Sequence, residues 1–180
     1  MTFCTLYAGG YGWCTMKILV LSDSHSSMRF MRLCVETIKP QAIVHLGDHY
    51  DDGQIIAEEN PHLTVHQVPG NCDRYRYTLF TREILCYQVC GVKLYMTHGH
   101  RHNVKMGIHA LLRDARKEKA RAALYGHTHI PDCHREEDGL WVLNPGSCGY
   151  GGGTAGIIET DGKEITACRI INQQALEEMT

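Results

Sequence analysis

Apolar residues fall into short solid runs, each followed by a polar loop. Lys17-Ile18-Leu19-Val20-Leu21 is the first run and Ala42-Ile43-Val44-His45-Leu46 the second. Unbroken runs of this length predict strands buried on both faces. Between them Phe30, Met31, Cys34, Val35 and Ile38 recur at helical spacing. This predicts a helix over 28–39, capped by Ser26 or Ser27 and stopped by Pro40. A short helix near 52–59 and a third strand over 64–68 follow. Strand, helix, strand, helix, strand is an α/β layout with a mainly parallel sheet.

The second half reads differently. Segments 82–89 and 92–97 flank Gly91 as a hairpin, and 108–119 is an amphipathic helix with Ile108, Leu111, Leu112 and Ala115 on one face. A strand over 122–125 comes next. Asp138-Gly139 and Asp161-Gly162 are hairpin turn signals. They join 134–137 to 140–143 and 155–160 to 163–171. The expected architecture is one domain over 16–180, with two packed sheets and helices outside, one sheet more parallel and the other more antiparallel. Residues 1–15 read as a disordered upstream extension, with Met16 as the natural start.

The polar loops carry the chemistry. Asp23 and His25 follow the first run and Asp48 the second. Asn71 follows the third, His98 the hairpin, and His127 with His129 the run ending at Tyr125. In α/β sheets, sites form beyond the carboxyl ends of strands, where these loops lie. In an extended segment, residues i and i+2 point the same way, so His127 and His129 can face one space. Two acids, an amide and four imidazoles suit Mn, Fe, Zn, Ni or Co better than Mg or Ca.

Composition narrows the picture further. A net charge of -2 gives no electrostatic case for nucleic acid or a membrane surface. No run approaches the roughly 18 apolar residues of a membrane span. The nine cysteines form no CxxC pair, which predicts reduced thiols in a cytoplasmic protein.

The loop signals become specific only as an ordered set: Asp-Ser-His at 23–25, Gly-Asp at 47–48, Gly-Asn-Cys-Asp at 70–73, Thr-His-Gly-His at 97–100, Gly-His-Thr-His at 126–129 and Asn-Pro-Gly-Ser at 144–147. In this order they resemble the calcineurin-like metallophosphoesterase superfamily, most closely its small YfcE-like phosphodiesterase branch. The resemblance spans about 17–171. It implies a four-layer α/β/β/α sandwich of two mixed sheets. It also implies a phosphodiesterase that attacks phosphate esters in line with a hydroxide bridging two divalent ions, manganese first, with Fe, Ni, Zn or Co as alternatives. By the same resemblance Asp23, His25 and His129 hold one ion, Asn71, His98 and His127 the other, and Asp48 bridges. Asp48, Asn71 and His100 are then the catalytic set.

One position departs from the family pattern. Many members carry histidine after the motif asparagine, and here it is Cys72. A thiol is a weaker donor, which biases activity toward substrates with good leaving groups and leaves His100 as the alternative proton donor. Cys72, Asp73, Arg74 and His100 are the candidate substrate contacts, with Asp73 also able to orient a ligand. The expected partner is a small phosphate ester, not a membrane or nucleic acid. Apolar residues on the late hairpins are the basis for expecting a homodimer or higher homo-oligomer. The competing readings are a non-catalytic protein-binding scaffold of the same fold, as in the small subunit of the retromer coat, and a weak nuclease.

Overall fold

The computed structural model describes residues 15–73 and 81–179. Arg74, and all but the last residue of the 1–15 segment, lie outside them.

The first half follows the predicted alternation. Strand β1 (Met16–Leu21) leads to helix α1 (Met28–Ile38), β2 (Ala42–His45), α2 (Tyr50–Glu59) and β3 (Thr64–Gln67). Then come β4 (Ile84–Val89), β5 (Val92–Thr97), α3 (His109–Lys117), β6 (Ala122–Leu124), β7 (Asp132–Arg135), β8 (Trp141–Asn144), β9 (Thr154–Thr160), β10 (Ile165–Asn172) and α4 (Gln173–Glu177). The short α4 and two 3-10 turns at His100–His102 and Val104–Met106 have no clear signature in the sequence.

The strands form two five-stranded sheets, ordered β10-β9-β1-β2-β3 and β4-β5-β6-β8-β7. Solid apolar runs arise because each sheet is covered on both faces. Ile18 and Val20 enter the core between the sheets, beside Leu94, Met96, Leu124 and Leu143. Leu19 and Leu21 point the other way, onto Met31, Cys34, Val35 and Ile38 of α1. On the far side, Tyr95, Ala123 and Val142 pack against Leu111, Leu112 and Ala115 of α3. Three apolar cores thus separate four layers, helix, sheet, sheet and helix.

Both sheets are evenly mixed, which corrects the expected division into a more parallel and a more antiparallel sheet. In the first, β1 pairs in parallel with β2 and β2 with β3, while β9 and β10 are antiparallel. In the second, β5, β6 and β8 are parallel, flanked by antiparallel β4 and β7. The reason is α3, which makes β5-α3-β6 a crossover unit, so the second half also contains a parallel core. Ser27 is the N-cap residue of α1, as expected, but its side chain makes no capping hydrogen bond. The apolar surface expected on the late hairpins is not found on their strands. The exposed large apolar residues among those described include Ile84, Met106, Ile130 and Tyr150, and none lies on β7 to β10.

Candidate metal centre

The loops after β1, β2, β3, β5 and β6 converge at one end of the sandwich, because those five strands run in one direction. Their approach is close. A side chain on Gly47 (φ +96°) would run into the backbone of Gly70, and one on Gly70 into the Asp48 carboxylate. Glycine at both positions lets the second and third loops touch.

Asp73 fastens these two loops. Its carboxylate accepts the backbone N–H groups of Asp48 (3.0 Å), His49 (2.9 Å), Tyr50 (2.9 Å) and Gly70 (2.7 Å). Some of these belong to the first turn of α2, whose N–H groups otherwise lack partners. Asp73 is buried and its oxygens are committed to backbone. Its place among the substrate contacts is therefore corrected: it positions the Asp48 loop instead.

Two groups of ligand atoms face each other across Asp48. In the first, one donor atom each from Asp23, His25, Asp48 and His129 lie within 4.8 Å of one another. Asp23 Oδ2 is engaged by the Ser22 hydroxyl (2.6 Å) and the His127 N–H (3.1 Å). Asp23 Oδ1 and His25 Nε2 are buried with no hydrogen-bond partner among the described residues. Asp23 Oδ1 sits 3.0 Å from His129 Nε2.

The second group centres on His98. Its Nδ1–H donates to the Leu46 carbonyl at 2.8 Å, which turns Nε2 toward the other ligand atoms. That atom lies 3.1 Å from Asn71 Oδ1, 3.2 Å from His127 Nδ1 and 3.6 Å from Asp48 Oδ1. His98 Nε2, Asn71 Oδ1, Asp48 Oδ1 and His127 Nδ1 therefore converge on one small space. This set fits divalent ions with mixed nitrogen and oxygen ligands, as do the unpartnered atoms of the first group.

Electrostatics keep the site ready for a cation. Burial, then the neighbouring His98 and Lys105, lowers His127 to about 4. Burial likewise lowers His25 and His100. Burial raises the Asp48 carboxyl, but His98 and the Cys72 N–H outweigh it, and the net shift is downward. At neutral pH these imidazoles are neutral and Asp48 is ionised, the forms that bind metal.

His127 Nδ1 lies against His98 and His129 Nε2 against Asp23, but not through the extended geometry that the sequence suggested. His127 and His129 do not lie on an extended segment. Both have left-handed backbone, with φ of +68° and +60°. Asp23, His25 and Asp48 share this conformation, at φ of +51°, +43° and +53°. Five of the seven candidate ligands thus occupy a region that side-chain-bearing residues seldom adopt. The surrounding loops hold them there. Asn144 Nδ2 donates to the Gly126 carbonyl (3.1 Å) and Thr128 Oγ1 (2.9 Å), and Ser147 Oγ donates to the Asp23 carbonyl (2.7 Å).

The remaining candidates lie at the rim. The His100 ring is 5.5 Å from that of His98 and 6.2 Å from that of His127, and its Nδ1 is buried without a partner among the described residues. Cys72 is exposed, and burial of its sulfur together with Asp48 raises its pKa to about 11, so the thiol stays protonated. Sequence reading missed Tyr150. Its ring stacks on His129 at 5.2 Å and 22° and meets His25 edge-on at 5.1 Å. The signal was an aromatic residue within the run Gly149-Tyr150-Gly151-Gly152-Gly153, directly after the Asn-Pro-Gly-Ser turn.

Comparison with known proteins agrees with this geometry. A probable metallophosphoesterase of Mycoplasma pneumoniae is 28% identical over 134 residues, covering 73% of this chain and 78% of the relative. Among solved structures, the Escherichia coli phosphoesterase YfcE matches with a TM-score of 0.55 at 22% identity, covering 87% of this chain and 100% of YfcE. Vps29 of Entamoeba histolytica in complex with Zn2+ matches with a TM-score of 0.61 at 21% identity, covering 87% of this chain and 99% of Vps29. Both solved structures share the fold. The profile of the calcineurin-like phosphoesterase superfamily domain matches residues 16–163, and with the ligand atoms gathered as described, the chain belongs to that superfamily.

Proposed function

We propose that the chain is a dinuclear metal-dependent phosphodiesterase acting on a small phosphate ester in the cytoplasm. The observation that carries this reading is the pair of ligand-atom clusters sharing Asp48. Asp23, His25 and His129 would hold one divalent ion, and Asn71, His98 and His127 the other. Two such ions would lower the pKa of a shared water and offset charge on the phosphoryl oxygens during in-line displacement. Manganese is the first choice, and the ligand set also suits Fe, Ni, Zn or Co.

The chain's own groups supply the rest. Leu46 orients the His98 ring through its carbonyl. The Cys72 N–H, 2.8 Å from Asp48 Oδ1, orients the bridging carboxylate. His100, lowered in pKa by burial and beside His98 and His127, would donate a hydrogen bond to a phosphoryl or leaving oxygen. The protonated Cys72 thiol is the poorer acid, so esters of acidic alcohols and phenols react fastest.

The test combines metal analysis with turnover. Dialysed protein is expected to bind about two Mn2+ per chain and to hydrolyse bis(p-nitrophenyl) phosphate, and Asp48→Ala should abolish both properties. A chain that binds two ions yet hydrolyses no activated phosphodiester with any of the five metals would overturn the enzymatic reading. It would favour a scaffold of the same fold.

A further inference from the structure

The two sheets are fastened along both lateral edges. On one edge His66 of β3 lies against Tyr87 of β4, with Nδ1 2.9 Å from the phenol oxygen and ring centroids 5.3 Å apart. On the other edge, Cys133 of β7 and Cys168 of β10 bring their sulfurs to 3.1 Å. Strands β7 and β10 each end their own sheet, so this contact bridges the sheets. Both thiols are half-buried and free, and neither takes part in the metal centre.

We propose that Cys133 and Cys168 form a redox-modification site, closing into a reversible disulfide that staples one sheet to the other. The sulfurs need to approach by about 1 Å to reach bonding distance. The other shifted thiols are ill-suited to this chemistry. Burial raises Cys34, Cys86 and Cys148, and Cys72 is also raised. Cys133 and Cys168 are the pair already in sulfur contact, and Cys133, the less buried of the two, is the sulfur open to an external disulfide.

The oxidant is a low-molecular-weight disulfide. The Cys133 thiolate attacks one of its sulfurs, forming a mixed disulfide and expelling the first small thiolate. Cys168 then gives up its proton to the released small thiolate, attacks the Cys133 sulfur and expels the second small thiolate. Two protein thiols are oxidised and one small disulfide is reduced to two thiols, so atoms and electrons balance. The closed loop contains the Asn-Pro-Gly-Ser turn and Tyr150, and the cross-link lies four residues beyond His129.

The full chain, first reduced, is incubated in glutathione buffers of rising oxidised fraction, then alkylated and digested. The expected product is one peptide pair joining Cys133 to Cys168, lighter by two hydrogens. The melting midpoint should rise by roughly 5–10 °C and return on adding dithiothreitol. Cys133→Ser and Cys168→Ser should each abolish the joined peptide and the rise. The wild-type peptide map decides the matter even if a variant fails to fold. Full alkylation of both thiols, a mixed glutathione adduct that stops at Cys133, or pairing of either with Cys4 or Cys14 would overturn the proposal. A cross-link with no rise in midpoint would overturn the stapling role.

Discussion

At the scale of single residues, His127 and His129 serve different neighbours although one threonine separates them. His127 turns its Nδ1 to His98, and His129 turns its Nε2 to Asp23. His127→Ala and His129→Ala should therefore each retain about one of two Mn2+ ions, and the ions lost should differ. Electron paramagnetic resonance of the two variants checks this, since loss of coupling between the ions must accompany either change, with distinct residual spectra. Tyr150 offers a second test. Tyr150→Ala removes the ring stacked on His129 and should weaken the ion beside His129 severalfold, whereas Tyr150→Phe keeps the stack and the affinity. Calorimetric titration with Mn2+ would disprove a role for the ring if both variants matched wild type.

The candidate ligands' convergence was legible in the sequence because each of them follows a strand. The left-handed backbone at Asp23, His25, Asp48, His127 and His129 was not, because nothing in a histidine's identity fixes its φ. Tyr150 was invisible for a related reason: a run of glycines carries no periodicity, so no register points its aromatic residue toward a site.

Among elements, the first three strands and the helices between them followed directly from solid apolar runs and helical spacing. Pairing direction in the second sheet did not follow. Strand β6 has three residues, Ala122–Leu124, too few for alternation to reveal its neighbours, and tertiary pairing alone makes it parallel to both β5 and β8. The meeting of the loops after β2 and β3 yields a sharper test. Gly70→Ala would drive a methyl group into the Asp48 carboxylate and backbone. It should cost roughly 1–3 kcal/mol of stability and displace the Asp48 carboxylate. Urea denaturation together with metal analysis checks both, and a variant of unchanged stability and metal content would contradict the packing described.

For the molecule as a whole, buried histidines link stability to pH, and His45 is the most deeply buried of those lowered to about 4. His45 is fully buried. Its Nε2 lies 3.2 Å from Ser24 Oγ, which donates in turn to Asp52 Oδ2 at 2.7 Å. Burial lowers its pKa from 6.5 to about 4. As pH falls from 6.5 toward 4, the unfolded chain takes up a proton that the folded chain refuses. The stability present above the unfolded value is thus lost progressively across that window, by roughly 2–3 kcal/mol. Denaturant midpoints of chelator-treated protein at several pH values provide the check. His45→Gln should flatten the dependence, and a variant as acid-sensitive as wild type would remove His45 as its cause.

The carboxylate of Asp73 has a consequence for metal choice. Because it gathers N–H groups from the loops after β2 and β3, the placing of Asp48 beside Asn71 is set by peptide backbone. An ion held between these two loops would have to suit that spacing, so its radius would bear on which metal is taken.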